Sequence, residues 1–95
     1  MGSRARMRQR KLAGKLLHIR LTLRFSQAEM LRRLGFDGVL DYKRISEYEL
    51  GRGEPPLAVL LAYARLAGVC TDSLIDDKVD LPAKLPAKPR HTGGA

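Results

Sequence analysis

Residues 25–56, FSQAEMLRRLGFDGVLDYKRISEYELGRGEPP, hold two short helical patterns, a connector rich in glycine and aspartate, and a Gly/Pro stop, in that order. Ser26 followed three residues later by Glu29 has the form of a capping box, and Phe25 with Met30 supplies the matching hydrophobic staple. A helix from Gln27 to about Leu34 follows, stopped by Gly35, with Met30, Leu31 and Leu34 toward a core and Gln27, Arg32 and Arg33 outside. GFDGVLD at 35–41 reads as a loop, and Asp41 is placed to cap a third helix, 42–50. Leu40 before that helix and Ile45 and Tyr48 within it turn inward, while Tyr42, Lys43, Arg44 and Glu47 project outward. Gly51, Gly53, Pro55 and Pro56 end it.

Upstream, Leu12, Leu16, Ile19 and Leu23 repeat at helical spacing, widened by Ala13 and Leu17. Lys11, Lys15, His18 and Arg24 are expected away from or beside that stripe, and Arg20 at its border. His18 has no second ligand at metal-binding spacing. Downstream, Leu57, Leu60, Leu61, Ala64 and Ala67, broadened by Val59, Tyr63 and Leu66, predict the most buried helix. A short helix over 70–77 should return Leu74 and Ile75 to the core, leaving Asp76 and Asp77 in water. The expected organisation is a flexible basic arm at 1–9 carrying Arg4, Arg6 and Arg8 up to Arg10, a domain at 10–78, and a Pro/Lys-rich tail at 79–95.

Within 95 residues, the polar ends leave about 65 to 70 able to build a core, too few for a large substrate pocket. The net charge of +8 is polarised: residues 1–44 are net +9, residues 45–80 net −4, and the last fifteen +3. A basic front and acidic back favour a polyanionic partner. Cys70 is alone, so an intramolecular disulfide is excluded and a reducing, cytoplasmic setting is expected. No apolar run is long enough to span a bilayer, and the first helix lacks the aromatic anchors of a membrane-surface helix.

The runs FSQAEMLRRLGF, ISEYELGRGEPP and LLAYARLAGV, in this order and followed by a short helix, resemble the helix-turn-helix domain of the phage-repressor and xenobiotic-response-element regulators over about residues 10–78. The resemblance implies an all-α, compact five-helix lambda-repressor-like DNA-binding domain with an extended helix-turn-helix loop and mobile termini. It implies a third helix in the major groove, with Tyr42, Lys43, Arg44 and Glu47 reading bases. Phosphate contacts would come from Gln27 and Arg52, joined by Arg10 and Lys11 in the basic front, and an Arg20–Glu49 ion pair would orient the third helix. The implied function is sequence-specific transcriptional regulation, with a repressor the expected kind, acting on double-stranded DNA as a homodimer. Leu74, Val79, Leu81 and Leu85 are the sequence's candidates for self-association.

Two departures stand out. The connector between Gly35 and Ile45 is several residues longer than the usual family turn, and Leu31 stands where a small residue is common. Both lead to the expectation that the third helix is displaced or lengthened at its start. The alternative function class is an antitoxin or other interaction module whose arm or tail binds a partner protein. No Ser/His/Asp or Cys/His arrangement, metal cluster or phosphate loop is present in the sequence, so neither an enzyme nor a cofactor is expected.

Overall fold

A computed structural model describes residues 9–86 of the chain. The fold is all-α: α1 (Leu12–Leu23), α2 (Gln27–Leu34), α3 (Lys43–Glu49), α4 (Leu57–Ala67) and α5 (Asp72–Ile75), with no β-strand among the described residues. α1 packs against α3, α4 and α5, while α2 packs against α3 and α4. Residues 1–8, which carry Arg4, Arg6 and Arg8, and residues 87–95 lie outside the described part.

The local rules act where the sequence places them. Leu12, Leu16, Ile19 and Leu23 are all buried along one side of α1, and Met30, Leu31 and Leu34 along one side of α2. Ser26 Oγ accepts the Glu29 N–H at 3.0 Å, which starts α2. The reciprocal half of the expected capping box is not made. The Glu29 carboxylate turns instead to Arg33 Nε, at 2.6 Å, and to the Arg32 guanidinium, and those two arginines hold its carboxyl below the usual value. Arg33 in turn lies over the Phe25 ring, 5.2 Å from its centroid.

Four of the helices stop in the same way, with a left-handed residue just past the last turn. At α3 this residue is Gly51 (φ 74), whose N–H donates to Tyr48 O while Arg52 N donates to Glu47 O. A Cβ on Gly51 would lie 3.7 Å from that of Ala13, so the end of α3 rests directly on α1. At α1 the left-handed position is held by Arg24 (φ 64), a conformation that disfavours any residue with a Cβ.

α4 corrects the expected burial pattern. Its inward face is Val59, Leu60, Tyr63, Ala64 and Ala67, whereas Leu57 is 84 % exposed and Leu61 40 %. The helix is rotated because the C-terminal part of its own stripe, set by Tyr63 and Ala67, follows 59–63–67 spacing and wins the core. Ile75, expected inside, is 40 % exposed, while Leu74 is fully buried.

The far end of the chain also differs from expectation. Lys15 was expected beside the stripe, yet it is 7 % exposed, and its Nζ donates to Ser73 O (2.8 Å), Asp76 O (2.9 Å) and Val79 O (2.6 Å). An ammonium has three donors, and here two find Ser73 O and Val79 O while the third joins the Val79 N–H on Asp76 O. Asp77 does not simply face water. Its carboxylate accepts the N–H groups of Arg10 (2.8 Å) and Lys11 (3.0 Å), the two residues before α1, and so ties the entry of that helix to the segment after α5. Those backbone donors hold the Asp77 carboxyl below its ordinary value. Beyond it Leu81 packs against the core and Leu85, expected exposed, is 5 % exposed within it.

Candidate nucleic-acid interface

The connector at 35–42 is stabilised by its own chemistry. Val39 N and Leu40 N both donate to Phe36 O, and Phe36 and Leu40 pack against the core, so the loop is pinned on its inner side. Its outer side carries Val39, which is 71 % exposed. Asp41 then opens α3: its Oδ1 accepts Lys43 N at 2.9 Å, and its main-chain oxygen accepts Arg44 N at the same distance. Tyr42, half exposed, precedes the first helical residue and does not belong to the helix. The expected lengthening at this end is absent, since α3 has seven residues and begins at Lys43.

Ile45 and Tyr48 anchor α3 in the core. That burial leaves Lys43, Arg44 and Glu47 on the outer side, with Arg44 Nη1 3.1 Å from Glu47 Oε1 and both side chains substantially exposed. Arg52 follows in the turn after α3, also exposed.

Behind this surface lies a polar cluster that fixes the helix. Arg20 meets Glu49 in a two-point fork, Nε to Oε2 at 2.6 Å and Nη2 to Oε1 at 3.0 Å, and its Nη1 donates to Phe25 O at 3.0 Å. Gln27 Nε2 donates to the same Glu49 Oε1 at 3.3 Å. The Glu49 side chain is 5 % exposed and that of Arg20 14 %, so this is a buried, fully forked pair and not a screened surface contact. It joins the C-terminal half of α1, the start of α2 and the end of α3. Under it sits Tyr63, whose buried hydroxyl has no hydrogen-bond partner. Burial, and then the charge of Glu49, push that phenol well above its ordinary value.

Gln27 occupies the position that the sequence reading gives to a phosphate contact, and no sequence spacing signals its tie to Glu49. The two roles are compatible, because a carboxamide nitrogen carries two protons and Glu49 takes one. The main-chain N–H groups of Gln27 and Ala28, in the first turn of α2, have no acceptor within the helix. Arg10 and Lys11 are not brought into the cluster. Their backbones are bound by Asp77, Lys11 Nζ lies 3.5 Å from Asp80, and α1 carries them about 14 Å from Arg20.

Among the described residues no helix is long and apolar enough to cross a membrane. No protein-family model matches the chain, and a search of curated proteins finds no match either.

Proposed function

We propose that this domain binds double-stranded DNA in a sequence-dependent way, inserting α3 into the major groove, and that it acts as a cytoplasmic transcriptional regulator of the repressor kind. The observation that carries the reading is the buried Arg20–Glu49–Gln27 cluster. It fixes a short helix whose outer side presents Lys43, Arg44 and Glu47, where the basic part of the chain, residues 1–44 at net +9, gives way to the acidic part. A helix braced so firmly on its inner side, with unlike charged groups on the outer side, suits base reading.

The energies are consistent with that role. An exposed Arg–Glu pair such as Arg44–Glu47 contributes under about 1 kcal/mol. A bidentate Arg contact to guanine is worth about 1–3 kcal/mol of discrimination. Parting the pair is therefore favourable on a matching site, where Arg44 meets guanine O6 and N7 and Glu47 accepts from a cytosine amino group. Gln27, the first amides of α2 and Arg52 would hold the phosphates on either side.

Selection of bound sequences from a random duplex pool tests the reading. A defined consensus is expected, with log K falling against log salt at a slope near −5 if about six phosphates are neutralised. Arg44→Ala should relax preference at particular positions, while Gln27→Ala should weaken binding to all sequences alike. Equal affinity for every duplex, or an interaction indifferent to salt, would overturn it.

A further inference from the structure

Two of the large apolar side chains left exposed, Leu57 at 84 % and Ile75 at 40 %, meet at one depression beside the start of α1. Leu12, Leu60 and Pro55, all buried, lie beneath them, and the depression has a volume of about 250 Å³. Gln9, the first described residue, lines it too, so the chain comes into the domain along this depression.

We propose that the segment just before Gln9 covers this depression, with the Met7 side chain seated between Leu57 and Ile75 as a latch for the basic arm. The occupant follows from where the chain enters. Met7 is two residues from Gln9, about 7 Å of extended chain, whereas Met1 is eight residues away. In an extended segment residues 7 and 9 share one side, so a chain that lays Gln9 against the depression turns Met7 toward it and Arg6 and Arg8 away. An unbranched thioether suits an irregular apolar seat, and the other apolar side chains of residues 1–8 are only Ala5 and the distant Met1.

Charge points the same way. Residues 1–8 hold three arginines and no acidic residue. The depression is lined by Glu54, and Asp72 lies one turn before Ile75 on the same side of α5. Glu54 is already engaged, so the segment meets its charge and not a vacant carboxylate. Burying a methionine side chain favours docking by about tenfold to a hundredfold, and ordering Arg8 and Met7 offsets much of that gain. The latch is therefore shallow. Closed, it holds the arginines at the end of α1 remote from Arg20 and Glu49, and on the proposed function it keeps them from the DNA that α3 reads. The contact itself does not depend on that function.

Oxidation of the full chain by dilute hydrogen peroxide, without DNA and followed through the methionine methyl signals in nuclear magnetic resonance spectra, reads the latch directly. Met7 should react about threefold more slowly than free methionine in the same solution, while Met30, fully buried, sets the protected limit. Leu57→Ser should bring Met7 to the rate of free methionine with an unchanged melting curve, because Leu57 makes little contact within the described fold. In the natural chain the Met7 methyl should show cross-relaxation with the Leu57 and Ile75 methyls, unchanged on dilution. Equal rates for Met7 and free methionine, protection that survives Leu57→Ser, or Leu57 and Ile75 signals that shift on dilution, as cover by a second copy requires, would overturn the proposal.

Discussion

Removing Glu49 should cost this domain a large share of its stability, and removing Arg20 with it should return most of what was lost. In Glu49→Leu the Arg20 guanidinium keeps only its bond to Phe25 O, in a site where its side chain is 14 % exposed. Stranding one member of a buried pair costs about 3–5 kcal/mol. A domain of this size has about 4–12 kcal/mol in all. The double variant Arg20→Met/Glu49→Leu removes both charges and fills the space with apolar atoms, a change that is commonly neutral. It is expected within about 2 kcal/mol of the natural protein, giving a coupling energy in the cycle of about 2 kcal/mol or more. Urea unfolding followed by far-ultraviolet circular dichroism, with equal m-values across the four proteins, measures this. The double variant should fold, and on the proposed function it should bind DNA poorly, since α3 has lost its strut and Gln27 its acceptor. A coupling energy below about 1 kcal/mol would mean that the pair is screened like a surface contact, and the argument from burial would be refuted.

The other predictions concern sites away from that pair. Tyr63→Phe removes a buried hydroxyl that has no partner, so it should raise stability by about 1 kcal/mol in the same urea assay, and a comparable loss would contradict the unpartnered state. Lys15→Met removes the donor of Ser73 O and Val79 O and one of the two donors of Asp76 O. It should cost at least about 2 kcal/mol and speed amide exchange over residues 73–79, and Lys15→Arg should not restore it, because a planar guanidinium cannot aim at all three. Asp77 has a depressed carboxyl pKa in the folded state, so its contribution is present above its unfolded value and is lost as pH falls through the lower folded one. Melting temperature should therefore drop below about pH 3.8, and Asp77→Ala should flatten part of that drop while lowering stability at neutral pH.

What could be read in the sequence was whatever neighbouring residues decide among themselves. Ser26 starts α2 because its oxygen needs only an N–H three residues on, and Gly35, Gly51 and Gly68 stop helices because a left-handed turn favours a residue without a Cβ. The inward stripes of α1 and α2 follow from a helical period over a dozen residues or fewer. The five-helix order and the exposed side chains of α3 rest on the same short-range rules.

Only the tertiary structure decided the rest, because those contacts join residues far apart in sequence with no spacing between them that signals contact. Lys15 looked like one more solvated cation until the carbonyls around the end of α5 surrounded it, and Asp77 like a surface carboxylate until it met the start of α1. Leu57 and Leu85 exchanged their expected places, one exposed on α4 and the other buried from a Pro-rich segment. Periodicity identifies which side chains share a helix face, but which face wins the core depends on what the other helices bring against it. The stretch at 25–56 thus determined its own helices and their ends, while the angle at which α3 is held was set by Arg20, outside that stretch, through one buried fork to Glu49.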